Sequence, residues 1–511
     1  MTFSRVNPWL IAVVVSLATF MEVLDTTITN VSLRHIAGSL GAGQDESTWV
    51  LTSYLVANGI ILPLSGWLSE VMGRKRFFIS CILGFTAASF FCGAATSLAG
   101  LIVFRIVQGA AGGGLQPTQQ AIILDYFPPE KRGTVFAITG ITMIAAPILG
   151  PTLGGIITDH ASWRWIFYIN VPVGLLAAFL VWRMVEDPEH AKAKGFQNID
   201  YWGLGLVSLG LAALQLVLDK GQQDDWFQSP FILTWALISF VALTTSITWL
   251  WGQKNPMIDL SLFKDRAFAL SCILIFLVGF VLFGGSTLLP LMLQSQFGYN
   301  ATLAGMILSP GGMAVIFIMP VVGKLIGRMQ ARYMIIIGLV LTAIGMFHTM
   351  GLTPQTDFKT FMFMRITQVL GLPFLFIPIS TLAFMNVPME KRGKASALFA
   401  LFRNVGGSMG ISLALTYVTR RQQIHQHNLS EHLFHGYAPF DQLLAQVQSH
   451  TGSVSAAMGS INHMLENQAN ILGFADTFAI MGVILSIAVV IAMALLPPNQ
   501  PASRAPAGGG H

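Results

Sequence analysis

Runs of about twenty apolar residues follow one another along almost the whole chain, and this pattern limits the possible folds more than any other feature. A helix of about 20 residues crosses the hydrocarbon core of a bilayer while satisfying its own backbone hydrogen bonds. Fourteen such spans are read from the sequence: 9–33, 47–69, 77–97, 100–125, 134–158, 165–185, 201–219, 230–251, 268–293, 302–323, 333–352, 360–385, 395–417 and 473–497. Composition agrees: 54% of the residues are hydrophobic and 10% charged. An ordinary soluble domain carries roughly 25% charged residues. The chain lacks the polar residues to cover a water-facing surface, so the expected fold class is an all-α integral membrane protein. The net charge of +5 and pI near 9.1 are explained by basic loops on one membrane face, and no nucleic acid is expected. Cys81, Cys92 and Cys272 all fall in apolar runs and read as packing residues, not as a disulfide or metal set. No metal site is expected.

An even number of spans puts both termini on one side. With an inside N-terminus, 18 of the 28 basic residues fall in inner segments, 6 in outer ones and 4 within spans, one of these, Arg183, at the inner end of its span. That bias predicts an N-in, C-in topology. The start, MTFSRVNPWL, lacks a small-residue cleavage site and is expected to be a retained first helix. The tail, 498–511, is rich in Pro, Ala and Gly and is expected to be disordered.

The chain also repeats itself. FRIVQG (104–109) matches MRITQV (364–369), and FPPEKRG (127–133) matches VPMEKRG (387–393), both at an offset of 260 residues. Pro63 and Gly66 in LPLSGWL recur as Pro320 and Gly323 in MPVVGKL. The expected organisation is therefore two six-helix halves, 9–185 and 268–497. Linkers and two extra spans occupy 186–267, and one long outer loop occupies 418–472. Both halves begin at the same face, so the repeat is parallel.

Charges inside spans mark sites, because they are costly in lipid. The stretch FMEVLDTTITNV (20–31) carries Glu22 and Asp25. With Thr29 they fall at i, i+3 and i+7, on one helical face. Asp25 lies roughly 12 Å and Arg105 roughly 8 Å below the outer ends of their spans, at 1.5 Å per residue. They are expected to be neighbours, with Gln108 in the same network. Arg105 favours the charged form of Asp25; no cation is evident for Glu22, which is expected to favour its neutral form. The two acids read as one coupled titrating pair. Arg365 is the repeat-equivalent of Arg105, but span 268–293 contains no acid, so its expected partners are carbonyls or Gln368. Proton handling is expected in the first half. Arg403 is a third buried cation, with a structural or a substrate-excluding role. Asn58, Gln116, Gln119 and Gln120, among many Met and Phe, are candidate lining of a substrate cavity.

Five motifs in order then resemble one family. GWLSEVMGRKRFF (66–78), LIVFRIVQGAAGG (101–113), GITMIAAPILGPTLGG (140–155), LDTTITNV (24–31) and WRWIFYINVP (163–172) resemble signatures of the major facilitator superfamily. They are similar above all to the fourteen-span drug:proton antiporters of the EmrB/QacA type. The resemblance implies a major facilitator fold and proton-driven export of small hydrophobic or cationic drugs across a bacterial inner membrane. It also implies that Gly140, Pro147, Gly150, Pro151, Gly154 and Gly155 form the antiporter motif sealing a helix interface. In the 66–78 loop, Gly66, Glu70, Gly73 and Arg74 are expected to form a gate latch. Arg74 is expected to pair with Asp125, and Glu70 to face the positive N-terminus of span 11. The family usually has Asp where Glu70 stands.

In the outer loop, DQLLAQVQ and INHMLENQ are expected to be short amphipathic helices. The resemblance makes this loop a docking place for a periplasmic adaptor, leading to an outer-membrane channel. The histidines at 425, 427, 432, 435, 450 and 463 match no metal-ligand spacing. The chain has no GxxxxGK[ST] or HExxH, and the GxSxG match GGSMG (406–410) lies inside span 395–417 and not on a strand-to-helix turn, so no cofactor and no enzymatic activity are expected. Protons, drugs and membrane lipids are the expected partners. Two other readings stand beside this one: an exporter of a specific lipid or siderophore-like compound, and a non-transporting sensor or scaffold of the same fold. The acids of span 1 argue against a scaffold.

Overall fold

The computed structural model describes residues 7–193, 195, 200–253, 256–326, 328–431, 433–434 and 437–496. The tail 498–511, His432 and His435 lie outside the described residues. The described chain is built from helices: α1 (Pro8–Leu40), α2 (Gln44–Ser47), α3 (Trp49–Met72), α4 (Arg74–Ala94), α5 (Leu98–Gly112), α6 (Leu115–Tyr126), α7 (Pro129–His160), α8 (Trp165–Tyr168), α9 (Asn170–Met184), α10 (Tyr201–Lys220) and α11 (Pro230–Gly252). These are followed by α12 (Arg266–Gln296), α13 (Ala301–Leu325), α14 (Ala331–Thr349), α15 (Phe358–Val369), α16 (Leu372–Ala383), α17 (Arg392–Ser430), α18 (Ala438–Thr451) and α19 (Val454–Leu495). Among the described residues, 13 helical segments are long and apolar enough to cross a membrane. The segment expected as span 134–158 is α7, a helix of 32 residues.

Several spans differ from the simple rods expected. Span 100–125 is two helices, α5 and α6, separated at Gly113 and Gly114. Three consecutive glycines, 112–114, each weaken a helix by about 1 kcal/mol relative to Ala. They also permit close contact: a side chain at Gly109 would run into the Tyr54 carbonyl, and one at Gly113 into that of Asn58. The fourth span is thereby seated against α3. Span 360–385 is likewise split, into α15 and α16. The outer loop is mostly not a loop. α17 continues to Ser430, and α19 begins at Val454, so INHMLENQ is the leading part of α19 and not a separate helix. No proline interrupts 454–495, so nothing breaks the helix before the span. DQLLAQVQ lies in α18, which packs Phe440 and Leu444 against Ala457 and Ile461 of α19.

Tyr201 and Trp202 at the start of α10 and Trp251 at the end of α11 are exposed. They lie at the same end of this helix pair, where amphipathic rings suit a membrane–water boundary. The interior is not uniformly apolar. Glu22, Asp25, Arg105, Arg365 and Arg403 are all buried.

Candidate functional site

The centre of the N-terminal helices holds a closed polar network. Arg105 and Asp25 are 0% and 1% exposed, so solvent does not screen their attraction. Arg105 Nη1 donates to Asp25 Oδ2 at 2.6 Å and to Gln108 Oε1 at 2.7 Å. Gln108 Nε2 returns to Asp25 Oδ1 at 3.1 Å. Gln108 follows Arg105 by one helical turn, so both face α1 together. Arg105 Nε donates to the Val50 carbonyl at 3.0 Å, and its guanidinium lies 4.2 Å from the Tyr54 ring centre. Asn170 completes the cage: its amide donates to Asp25 Oδ1 at 2.7 Å and to Ser89 Oγ at 2.9 Å. Burying this carboxylate is tolerable because a cation and two amides satisfy it.

Asn170 and Tyr54 were not among the residues singled out from the sequence. Asn170 sits inside WRWIFYINVP, a motif quoted only for its resemblance. Tyr54 is one of the few tyrosines placed within an apolar run.

Glu22 lies one turn along α1. Asn58 Nδ2 donates to Glu22 Oε1 at 3.2 Å, and the Tyr54 hydroxyl donates to the same oxygen at 3.5 Å. Tyr54 therefore touches both acid sites, with its ring beneath Arg105 and its hydroxyl at Glu22. Glu22 is not without a cation. Arg403, from α17, comes near enough to attract its carboxylate without a direct ion pair, and Arg403 Nη2 donates to Gln116 Oε1. This is a correction to the sequence reading, which found no cation for Glu22. Arg403 is almost 400 residues away, and only the docking of α17 against α6 and α3 brings it there. Two buried atoms here, Glu22 Oε2 and Arg403 Nη1, have no hydrogen-bond partner.

The other cavity candidates are also buried and differ in how they are engaged. Gln119 Nε2 donates to Ser16 Oγ at 2.8 Å, whereas Gln120 Oε1 has no partner. Arg365 donates to Gln368 Oε1 at 3.3 Å and to Ser286 Oγ at 3.0 Å.

The latch residues meet at the end of the bundle that carries the basic loops. Arg74 pairs with Asp125, and Asp125 also receives Arg392 at 3.4 Å. Arg392 donates further to the Leu124 carbonyl at 2.8 Å, and Arg132 to the Phe384 carbonyl at 3.0 Å. These bonds join the N-terminal to the C-terminal helices. Glu70 pairs with Lys394 at 3.6 Å, at the start of α17, the thirteenth expected span. It does not face span 11 as expected. The reason is packing: a side chain at Gly66 would clash with the backbone of Gly393 and Lys394, so α3 lies directly on the start of α17. Gly73 has φ +84°, a conformation that favours glycine. It lets the chain turn so that Lys75 N–H donates to Asp187 Oδ1 at 2.7 Å. Burial pushes the Asp187 carboxyl up, opposed by that N–H and by Arg74.

The glycines of α7 bring it against two neighbours. A side chain at Gly150 would run into the Thr27 hydroxyl, and one at Gly154 would crowd Ile28; Thr27 also donates to the Ala146 carbonyl at 3.4 Å. A side chain at Gly140 would meet Met319 and Phe376, and Thr152 fills the space beside Gly305. Thr152 and Ser309 hydroxyls lie 3.4 Å apart. α7 is thus wedged between α1, which carries the acids, and α13. Pro147 and Gly155 are buried; the surroundings of the Pro151 side chain lie outside the described residues.

A helical bundle with many membrane-crossing segments and a buried ionic network at its centre defines a multi-pass membrane protein. Comparison with known proteins identifies its class. The sequence profile of the Major Facilitator Superfamily matches residues 15–411. The chain is 36% identical over 471 residues to "Multidrug export protein EmrB" of Haemophilus influenzae, covering 92% of each chain. It is 34% identical over 495 residues to "Fatty acid resistance protein FarB" of Neisseria gonorrhoeae, covering 97% of this chain and 96% of that one. Among solved structures, the proton:xylose symporter XylE bound to 6-bromo-6-deoxy-D-glucose shares the fold at a TM-score of 0.61 with 14% identity, covering 97% of each chain. The chain belongs to the Major Facilitator Superfamily and is a membrane transporter, not an enzyme.

Proposed function

We propose that this protein is a proton-coupled multidrug exporter of a bacterial inner membrane, moving hydrophobic and amphipathic compounds outward by alternating access. The observation that carries this reading is the buried Asp25–Arg105–Gln108–Asn170 cage, joined through Tyr54 to buried Glu22. The similarity to EmrB supports the substrate class. The basic-loop end is read as cytoplasmic.

In this reading, protonation of Asp25 from outside cancels its charge and releases Arg105, loosening α1 from α5 and α9. Loss of that proton to the cytoplasm restores the pair and resets the transporter. Arg403 attracts Glu22 from the other half, so drug or proton arriving at Glu22 weakens an attraction between the halves. One proton crossing about 100 mV supplies ~2.3 kcal/mol, which sustains a gradient of roughly 50-fold per proton. The latch around Asp125 closes the cytoplasmic end in the outward-directed part of the cycle. The hairpin of α17, α18 and α19 offers the docking surface for a periplasmic adaptor and, through it, an outer-membrane channel.

A second reading, export of a lipid such as a fatty acid, is favoured by the similarity to FarB. The test of the main reading is drug-dye efflux by purified protein in proteoliposomes with an imposed pH gradient. Efflux that follows the gradient supports it, and efflux indifferent to the gradient removes proton coupling.

A further inference from the structure

Arg365 stands where the repeat places the counterpart of Arg105, 260 residues on. The same offset carries Gln108 to Gln368, Thr26 to Ser286 and Asp25 to Gly285. The two sites share the arginine and the glutamine but not the rest of the cage: the second span repeats at an offset of 257, which puts Gly311 where Tyr54 stands, and among the described residues the only side chains bonded to Arg365 are Gln368 and Ser286. Around Arg105 the anion is the Asp25 carboxylate. Counted at 260, Asp25 falls on Gly285, beside the Ser286 that bonds Arg365, and among the described residues no carboxylate bonds to Arg365. From Ala267 to Ala383 the sequence holds a single acid, Asp357, which is exposed at the N-cap of α15 and bonded to Thr360. It lies eight residues from Arg365, roughly 12 Å along the helix.

Arg365 is nevertheless only 2% exposed. It donates to two neutral oxygens, Gln368 Oε1 and Ser286 Oγ, while its buried Nε has no partner. A buried cation with no counter-charge is strongly disfavoured. A small cavity lies against it, lined by Arg365, Gln368, Val281, Leu282 and Met346, with room for about one water-sized occupant (about 10 Å³). The space at Gly285 is open as well: an added Cβ would meet only Met346 Cε, at 3.7 Å, an ordinary contact.

We infer that the C-terminal helices contain an anion site, in which Arg365 and Gln368 bind a small monovalent anion in the place that Asp25 fills in the N-terminal helices. The ligand is one negative charge carried on a single small acceptor. It is a free halide such as chloride, since a space for one water-sized occupant admits no acyl chain. The site is independent of proton coupling, and its test reads stability, not transport, so the two fail separately.

The experiment uses the purified full-length protein in detergent, with thermal unfolding followed at constant ionic strength. Sodium chloride is titrated against sodium isethionate, whose bulky anion does not fit, and sodium octanoate serves as a second anion too large for the site. In the wild type, chloride raises the unfolding midpoint saturably, by about 2–4 °C, and neither larger anion does. Gly285→Asp supplies the charge internally, and the response to chloride disappears. Gly285→Asn fills the same space without charge and serves as the steric control, with stability below that of Gly285→Asp. Arg365→Gln also loses the response. A wild-type midpoint unmoved by chloride overturns the proposal, as does an equal response to octanoate or a chloride response that survives Gly285→Asp.

Discussion

Asp25 is held by three side chains from two other helices, and the balance of that cage decides what substitution does. Asp25→Asn keeps the shape and removes the charge. It leaves Arg105 buried without its anion, which costs about 3–5 kcal/mol. The expected outcome is lost gradient-driven transport together with a lowered unfolding temperature. Adding Arg105→Gln to Asp25→Asn should recover stability, measured by thermal unfolding, and not transport. Glu22 differs, since Asn58 and Tyr54 hold one oxygen while the other has no partner. Glu22→Gln is expected to reduce export of cationic dyes at least tenfold while leaving the pH dependence of neutral-compound export in place. An unchanged ratio of cationic to neutral export would remove Glu22 from the substrate path. The neighbourhood of Asp25, Arg105 and Gln108 was legible from the sequence because depth within a span follows from counting residues. Asn170, Tyr54 and Arg403 were not. Their contacts depend on helix rotation and on which helices dock, and no pattern within one span records either.

At the scale of helices, α7 and α10 carry the most information. α7 reaches α1 because Gly150 and Gly154 remove side chains at the contact. Gly150→Leu is expected to push α7 from Thr27 and reduce transport by more than tenfold, with the protein still inserted in the membrane. Transport assays normalised to folded protein check this. α10, one of the two extra spans, touches both sides of the bundle. Asp219 accepts from Thr52 and Lys220 donates to Thr48 on the α3 side. Gln215 and Ser408 exchange hydrogen bonds at 2.9 and 3.1 Å, and Trp226, just beyond α10, donates to Thr416 at 3.0 Å, both on α17. Apolarity alone marked the positions of these spans and no role for them. Thirteen apolar helical segments were readable in position, since about twenty apolar residues are enough to define one. Their breaks at Gly113–Gly114 and the long extensions of α17 and α19 were not, because apolarity ends at the membrane face while the helix continues.

For the whole molecule, the proposed alternating access requires the end held by Asp125, Arg74 and Arg392 to open. Gly66 and Ser69 of α3 lie against Gly393 of α17, and a Cβ at Gly393 would sit 3.3 Å from Ser69 Oγ. Paired Ser69→Cys and Gly393→Cys substitutions should therefore cross-link on oxidation and stop transport, with recovery on reduction. Continued transport by the cross-linked protein would show that this end does not open. The native cysteines are buried and do not interfere. The most direct test of the account is dye efflux in proteoliposomes carrying either wild-type protein or Asp25→Asn, under an imposed pH gradient. The account predicts that wild-type efflux stops when the gradient is collapsed and that Asp25→Asn shows none above empty vesicles. Efflux that persists without the gradient, or an Asp25→Asn variant that pumps at the wild-type rate, would contradict it.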